Sequence, residues 1–305
     1  MKILAIRFSG LGDIVMLLPT LKALKERYDA AITLLCDEAN IKIKEISCGI
    51  IDEVIGIDRE AFRQKNVVRS LQSILQIFKL WKKFDRVYDF QSFGESAIIS
   101  CITGGERFGA VKREWMRKCY THSVPYNTKC HRSEFFAKIA GIQKIRKPKL
   151  CVTQKSRYAT FLDPHKKTIG FNIGATKENR RWSEKKFFEL AQQLLPRYNV
   201  LVFFGPKEKR FLHLFNDKRI IKVYDIDLVE LAAALQLCDL VVSNDTGPVH
   251  MAAALGVPTL TLFSTGDDWQ VGCLNEKKDF IKKLPIDSIS VDEVMQKIEG
   301  LLLHA

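Results

Sequence analysis

Apolar residues along the chain alternate between short runs that are typical of buried strands and longer stretches with helical spacing. In the first half, β-rich runs predict strands at residues 2–8, 31–36, 53–57, 86–90 and 107–110. Between them, apolar residues recur three or four positions apart over residues 13–28 and 67–81, which predicts two helices with one apolar stripe each. This alternation of strand and helix favours a parallel α/β sheet.

The second half repeats the same pattern. Apolar runs predict strands at residues 168–173, 200–204, 240–243 and 259–263, and helical spacing predicts helices at residues 183–195, 227–237 and 291–303. Ser183 is suited to cap the first of these helices, and Trp182 before it can pack on Phe187 as a hydrophobic staple. The sequence therefore predicts two Rossmann-like, doubly wound α/β modules.

A polar segment with two prolines, residues 147–167, separates the two modules. We place the domain boundary inside it and predict an N-terminal domain of residues 1–155 and a C-terminal domain of residues 156–305. The helix at residues 291–303 follows a charged, irregular stretch and can pack on either domain, including back on the N-terminal one. A length of 305 residues suits two domains of about 150 residues each.

Composition narrows the class of protein. Hydrophobic residues make up 47% of the chain and charged residues 27%, the balance of a globular protein, and no stretch approaches the roughly 18 apolar residues of a membrane span. The first residues contain no apolar core of a secretory signal before Arg7, so we expect a cytoplasmic protein. The eight cysteines form no C-x-x-C pair, which excludes a zinc ribbon and a dithiol redox motif.

Charge is distributed unevenly along the chain. The net charge is +13, and residues 1–150 hold 27 Lys and Arg against 16 Asp and Glu, whereas residues 151–305 hold 21 against 19. The N-terminal half is therefore expected to meet an acidic partner.

Three loops that follow predicted strands carry the candidate chemistry, because ligands of doubly wound sheets bind beyond the carboxyl ends of the strands. The first loop is Gly10-Leu11-Gly12-Asp13, a glycine turn that opens a helix. Val15 replaces the third glycine of a dinucleotide fingerprint, and Asp13 would repel a phosphate. We interpret Asp13 as a carboxylate held as a general base, with a simple helix N-terminal charge as the alternative.

The second loop spans residues 174–182 and contains Thr176, Arg180 and Arg181. Its hydroxyl and guanidinium groups suit a pyrophosphate, since arginine presents a planar fork of donors. A solvated charged loop is the alternative, and we expect Trp182 at its end to be structural.

The third loop reads Asp245-Thr246-Gly247-Pro248-Val249-His250 and leads into an alanine-rich helix that closes at Gly256. The N–H groups of Thr246 and Gly247 at a helix N-terminus form a ready anion site, and Asp245 or His250 could bind a hydroxyl or phosphate beside it.

Together the three loops resemble glycosyltransferase family 9, the bacterial heptosyltransferases that build the inner core of lipopolysaccharide. The resemblance covers most of the chain. It is carried by Gly10-Leu11-Gly12-Asp13 with Pro19 in the following helix, by Arg180-Arg181-Trp182, and by Asp245-Thr246-Gly247-Pro248-Val249-His250 with Gly256-Val257-Pro258.

The resemblance implies a GT-B architecture, two Rossmann-like doubly wound domains facing a central cleft, and an inverting, metal-independent glycosyltransferase. The donor would be ADP-heptose and the acceptor of Kdo-lipid A type. Asp13 would be the general base, with Arg180 assisting catalysis. The donor's nucleotide diphosphate would be held by Thr176, Arg180, Arg181, Asp245, Thr246, Gly247 and His250. No cofactor is expected.

The basic N-terminal module then predicts binding of an anionic, lipid-linked saccharide, with peripheral contact to the cytoplasmic face of the inner membrane. A solvated basic face is the alternative for any single residue of this set. The candidate acceptor-binding residues are Gly10, Gly12, Arg59, Arg63, Lys65, Arg113, Arg117 and Lys118.

Two departures from the family pattern leave the donor sugar open: arginine replaces the usual lysine at position 180, and Ser264-Thr265-Gly266-Asp267-Asp268 follows the last predicted strand. The alternatives are a GT-B enzyme that uses another nucleotide sugar, an epimerase, and a sugar-binding relative without turnover. A nucleic-acid binder is a further alternative, suggested by the basic run of residues 107–132, but no nucleic-acid-binding motif accompanies that run. We therefore expect no nucleic-acid partner.

Overall fold

The computed structural model describes residues 1–8, 10–59, 61, 64, 66–127, 129–264, 272–274 and 276–303, and it describes Ser70 by its backbone alone. The chain divides into two compact units, Met1–Pro148 and Lys149–Ala305. This division falls inside the predicted linker and somewhat earlier than residue 155, where we had placed the boundary. Each unit is an α/β unit built on one parallel sheet.

The first unit is built on six parallel strands in the order β3-β2-β1-β4-β5-β6 within its described residues. The four apolar residues Ile3–Ile6 of β1 are all buried, as expected of a central strand in a parallel sheet. The strands are β1 (Lys2–Ile6), β2 (Ala31–Asp37), β3 (Glu53–Ile57), β4 (Arg86–Asp89), β5 (Glu106–Val111) and β6 (His122–Pro125). The helices are α1 (Leu11–Tyr28), α2 (Ile43–Ile46), α3 (Val67–Phe78), α4 (Gly94–Thr103) and α5 (Arg132–Ala140).

The second unit repeats this arrangement with strands in the order β12-β11-β10-β7-β8-β9. Its strands are β7 (Thr168–Asn172), β8 (Asn199–Phe203), β9 (Ile220–Val223), β10 (Leu240–Asn244), β11 (Thr259–Phe263) and β12 (Lys278–Lys282). Its helices are α6 (Glu184–Leu194), α7 (Leu228–Leu235), α8 (Gly247–Ala254) and α9 (Val291–Leu303).

Both sheets reverse their winding direction at their centre. In the first unit β1 pairs with both β2 and β4, and in the second β7 pairs with both β8 and β10. The loops that follow the two central strands therefore diverge to opposite faces and leave a crevice at the carboxyl edge, which is where such sheets bind ligands. The two doubly wound, Rossmann-like sheets that the sequence predicts are confirmed.

The strands that the sequence missed all lie at sheet edges. These strands, β6, β9 and β12, are partly exposed, and β12 alternates between exposed and half-buried residues. An edge strand loses the continuous apolar run that marks a central parallel strand, so its signal is weak. The sequence also did not predict helices α2, α4 and α5.

Helix α9 belongs to the second core. Its residues Val291, Val294, Ile298 and Leu302 are buried in one apolar cluster with Leu190 of α6 and the neighbouring strands. Of the two packing positions that the sequence left open for this helix, packing on the C-terminal module is the one observed.

Trp182 is a structural residue, as expected. Its ring is fully buried and meets Phe187 edge-on at 4.7 Å between centroids, and its indole N–H donates to the Ile289 carbonyl at 3.0 Å. Ser183 precedes α6, but its side chain makes no capping hydrogen bond. The staple rather than the cap fixes the start of this helix.

None of the helices that the structure describes is both long and apolar enough to cross a membrane.

Replacing Trp182 by alanine is expected to destabilise the second unit by about 3–5 kcal/mol, because it opens a cavity in the core and removes one hydrogen bond to the Ile289 carbonyl, which still accepts from Lys186 Nζ at 3.0 Å. Urea unfolding followed by circular dichroism measures this loss. Phe161→Ala in the same unit is the matched control: Phe161 is 68% exposed, so its removal should cost about 1 kcal/mol or less. Equal losses in the two variants would contradict the structural role of Trp182.

Candidate functional site

The turn after β1 places Asp13 at the first turn of α1. Gly10 adopts a φ of +85°, in the left-handed region that favours glycine, and helix α1 begins at Leu11. A Cβ atom at Gly10 would lie 2.6 Å from Asp13 Oδ2, so only glycine leaves room for the carboxylate there. Gly12 is buried within the same turn. The glycines of this loop therefore serve the placement of Asp13.

Two guanidinium groups hold the Asp13 carboxylate. Arg7 Nη2 forms an ion pair with Asp13 Oδ2, and Arg132 Nε lies 3.5 Å from Asp13 Oδ1. The Asp13 side chain is 22% exposed, so it is only partly buried by these contacts. Arg132 is the first residue of α5, a helix far along the chain. This cluster defines the candidate base.

Arg7 is fixed by its own contacts. Its Nη1 donates to the Phe90 carbonyl at 3.1 Å, and its guanidinium lies over the Phe136 ring at 5.5 Å. Burial lowers the pKa of Arg7, with the nearby charge of Arg132 acting in the same direction and Asp13 opposing both. The Asp13 carboxylate thus supplies the opposite charge that a buried arginine requires.

The loop after β4 is organised by a fully buried carboxylate, Asp89. It accepts hydrogen bonds from Tyr120 Oη at 2.6 Å, from Ser96 Oγ at 2.8 Å and from the backbone N–H groups of Gln91 and Ser92. Burial raises the pKa of Asp89, and these hydrogen bonds oppose that rise. Gln91 Oε1 in turn accepts from the Phe8 backbone N–H at 3.2 Å, which ties this loop to the end of β1.

Of the predicted acceptor residues, Arg59 and Arg113 line one polar cavity of ≈ 490 Å³ with Glu95 and Lys112. Arg59 Nη2 contacts Glu95 Oε1 at 2.7 Å, and its guanidinium lies over the Phe8 ring at 5.3 Å. This cavity is therefore next to the strand that leads to Asp13.

Two further acceptor candidates that the structure describes, Arg117 and Lys118, do not line this cavity. Arg117 is exposed and paired with Glu114 at 2.7 Å, and Lys118 beside it is also exposed. Arg63 and Lys65 lie outside the described residues, as do Thr265, Gly266, Asp267 and Asp268. All of these assignments stay predictions.

The crevice of the second unit lies between the ends of β7 and β10. Asn172 at the end of β7 donates to Ser243 Oγ and to Thr246 Oγ1, both at 2.7 Å. Asn244 at the end of β10 accepts from the Trp182 backbone N–H at 3.0 Å and donates to the Ile173 carbonyl at 3.1 Å. These amides join the second and third sequence loops into one site.

The N-terminus of α8 provides the anion-binding part of this site. The helix begins at Gly247 with Thr246 as the preceding cap residue and Pro248 in the first turn. Because the first backbone N–H groups of a helix have no partner within it, they can donate to a phosphate.

Charged side chains surround this helix start. Asp245 lies 4.0 Å from Arg180 Nη1 and 3.9 Å from His250 Nε2, measured to its two carboxylate oxygens. His250 is buried, whereas Arg180 remains 38% exposed and can reach a ligand. The arrangement places one partly exposed cation, one imidazole and one carboxylate near the predicted diphosphate position.

Arg181 has a different environment from Arg180. Its Nη2 pairs with Glu208 Oε1 at 3.0 Å, and both side chains are largely buried. A Cβ atom at Gly205 would lie 2.7 Å from Glu208 Oε2, so this glycine makes room for the carboxylate. Arg181 is therefore held by the protein. Thr176 is exposed on the same loop.

Sequence reasoning missed Arg7, Arg132, Asn172 and Glu208. Arg7 and Asn172 lie at the carboxyl ends of β1 and β7, where a polar residue after a buried strand was an available signal. Arg132 and Glu208 lie on elements whose contacts with the sites are set by tertiary structure, and no local pattern marked them.

Two doubly wound units, each with a candidate site where its sheet reverses, define the GT-B class of proteins. The family model "Glycosyltransferase family 9 (heptosyltransferase)" matches residues 77–298. The chain therefore belongs to glycosyltransferase family 9.

Relatives and solved structures agree with this family. Lipopolysaccharide heptosyltransferase 1 of Campylobacter coli is 26% identical over 294 residues, covering 86% of this chain and 84% of the relative. The structure of E. coli ADP-heptose lps heptosyltransferase II is similar with a TM-score of 0.83 at 22% identity, covering 100% of this chain and 99% of that one. E. coli heptosyltransferase WaaC with ADP gives a TM-score of 0.81 at 20% identity, covering 99% and 100%.

Replacing Gly10 by alanine is expected to destabilise the first unit by more than the same change at Gly141. Both glycines have positive φ, at +85° and +63°, so both alanines carry a backbone cost of about 1–2 kcal/mol. Only at Gly10 does the new methyl group also meet a carboxylate, because nothing lies within 4 Å of a Cβ at Gly141. Chemical unfolding of the two variants measures the difference, and equal losses would contradict the crowding at Asp13.

Proposed function

We propose that this protein is an inverting glycosyltransferase that moves a heptose from ADP-heptose to the inner core of lipopolysaccharide, on an acceptor of Kdo-lipid A type. The observation that carries the proposal is the position of Asp13 in a family 9 chain: a partly exposed carboxylate where the first sheet reverses, held by two arginines. The names of the similar proteins above include ADP-heptose and lipopolysaccharide, and these names support the choice of substrates.

Asp13 acts as the general base in this proposal. Its carboxylate accepts the proton of an acceptor hydroxyl while that oxygen forms a bond to the anomeric carbon of the donor sugar. The bond between the anomeric carbon and the ADP oxygen breaks on the opposite face, so the configuration inverts. Arg7 and Arg132 orient the carboxylate, which is a positioning role, since neither needs to touch the substrate.

The second unit binds the donor. The N–H groups of Thr246 and Gly247 and the guanidinium of Arg180 would bind the diphosphate and stabilise the charge that develops as ADP leaves. His250, in the first turn of α8, would contact the same diphosphate, and Asp245, 3.9 Å from His250 Nε2, would bind a hydroxyl of the donor beside it. Thr176 is exposed on the loop that contains Arg180. Arg181, which is held by its ion pair with Glu208, would position the loop that carries Arg180 and Thr176.

We propose that this chemistry proceeds without a metal ion or a cofactor. The cation at Arg180 and the positive end of α8 supply the charge that a divalent cation provides to diphosphates in other enzymes.

The first unit binds the acceptor. Arg59 and Arg113 line the polar cavity near β1 and would contact the phosphates or carboxylates of the anionic saccharide. Because such an acceptor is anchored in lipid, the protein would work at the cytoplasmic face of the inner membrane by peripheral contact.

The experiment that tests the proposal is incubation with ADP-heptose and a heptose-deficient lipopolysaccharide acceptor. Release of ADP and the mass of the product are measured together, with and without a chelator, and the anomeric configuration of the product is read by NMR. Other nucleotide sugars serve as competing donors. Transfer from a different donor alone would replace the proposed substrate, and loss of transfer in the chelator would overturn metal independence.

Asp13→Asn is expected to reduce transfer by about 10²–10⁴-fold, because the amide cannot accept the proton from the acceptor hydroxyl. The rate of ADP release in the presence of acceptor measures this loss. Asp29→Asn, at the other end of α1, is the matched control and should retain full activity. A folded Asp13→Asn protein with wild-type turnover would overturn the assignment of the base.

Arg180→Met is expected to lower kcat by about 10²–10³-fold, because the developing charge on the leaving ADP loses a charged donor. Arg197→Met is the control. Arg197 is exposed and pairs with Glu299, and it lies just before β8, at the amino edge of the sheet and away from the candidate site. Steady-state kinetics with varied donor concentration separate kcat from KM. An unchanged kcat with a raised KM would show that Arg180 only binds the donor.

A further inference from the structure

Helix α3 exposes the apolar stripe that the sequence predicts for it. Val67, Leu71, Leu75 and Phe78 lie on successive turns of one face and are 78%, 54%, 52% and 54% exposed. Trp81, just after the helix, is 61% exposed. The opposite edge of the helix holds it to the unit through the buried residue Ile77. We call these five exposed residues, Val67, Leu71, Leu75, Phe78 and Trp81, the α3 stripe.

The segment that contains the α3 stripe has a strong positive charge. Residues 61–84 include no Asp or Glu, and their cations are Arg63, Lys65, Arg69, Lys79, Lys82 and Lys83. Arg69 lies 3.5 Å from Asp58, which precedes the segment, whereas Lys79, Lys82 and Lys83 are exposed after the helix. An exposed apolar face bordered by cations is the pattern of helices that lie in a membrane interface.

We propose that the α3 stripe inserts into the headgroup boundary of an anionic lipid bilayer and anchors the first unit there. Apolar side chains enter the acyl boundary, and the lysines remain at the level of the lipid phosphates. Trp81 suits the interfacial region, where aromatic residues with a polar N–H are enriched. The inference rests on the proposed function for its biological meaning, because only a lipid-linked acceptor requires such an anchor.

The positive charge beside the α3 stripe favours an anionic bilayer, rather than a second copy of this chain, as the partner that covers the stripe. Two α3 stripes facing each other would bring together two sets of the exposed cations Lys79, Lys82 and Lys83, and like charges repel. An anionic lipid surface attracts the same cations and accepts the apolar side chains between them.

The α3 stripe also adjoins the acceptor side of the unit. Ile74 and Ile77 of α3 line a mainly apolar cavity of ≈ 570 Å³ together with Phe8, Ile57 and Arg59. Phe8 follows β1 and precedes the turn that carries Asp13. A lipid anchor at α3 would therefore keep the membrane on the side of the unit where Arg59 lies.

The test uses the full chain and vesicles of phosphatidylethanolamine with phosphatidylglycerol, compared with vesicles of phosphatidylcholine alone. We expect binding to the anionic vesicles that weakens with added salt. The variant L71S/F78S should bind the anionic vesicles about tenfold more weakly than the wild type, because it removes two inserting side chains. Phe161→Ser in the second unit removes an aromatic residue that is 68% exposed, more than the 54% of Phe78, and this variant should bind as wild type.

Trp81 offers a second measurement. Lipids brominated along the acyl chain should quench the fluorescence of the wild type on binding, and Trp81→Phe should remove most of that quenching, whereas Trp115→Phe should not. Wild-type binding by L71S/F78S, or quenching that is independent of Trp81, overturns the inference. A concentration-dependent dimer that L71S/F78S abolishes would identify a second copy as the occupant and also overturn it.

Transfer to a water-soluble, deacylated acceptor separates this inference from the proposed function. L71S/F78S should transfer to that acceptor at the wild-type rate and lose activity only on acceptor embedded in vesicles. If no variant transfers to the soluble acceptor, the proposed function fails, and the vesicle binding still decides the role of the α3 stripe.

Discussion

The reversal of winding at the centre of each parallel sheet is the constraint on which the rest of this structure depends. It separates the loops after β1 and β4, and those after β7 and β10, so that polar groups can gather beyond the strands without interrupting the buried core. The same topology therefore produces two different sites. In the first unit the crevice holds a carboxylate between two arginines, and in the second it holds amides and a helix N-terminus.

The first site depends on one electrostatic requirement. A buried arginine needs an opposite charge. The Arg7–Asp13 pair meets this requirement, since burial lowers the pKa of Arg7 and the Asp13 carboxylate opposes that change. Gly10 gives this pair its space, and the hydrogen bonds of Asp89 fix the neighbouring loop whose Phe90 carbonyl holds Arg7.

Periodicity predicted the central strands and the long helices from sequence because burial on both faces leaves an uninterrupted apolar signal, as in β1 and β10. It failed at the edge strands β6, β9 and β12, which are partly exposed. The candidate loops were found because glycine turns and helix starts are local. The partners of those loops were not, because Arg132 reaches Asp13 and Glu208 reaches Arg181 only through tertiary packing. The exposure of the α3 stripe was likewise invisible, since an apolar helix face normally predicts a core contact.

The exposed side of α3 has a practical consequence for work with this protein. An apolar face that is exposed to water adsorbs to nonpolar materials, including detergent monomers, plastic and hydrophobic chromatography resins. The protein would then be retained on a phenyl column more strongly than other proteins with a similar share of charged residues, which is 27% here. Recovery from dilute stocks would improve when a mild surfactant occupies that face, so the choice of buffer additive becomes part of measuring the enzyme.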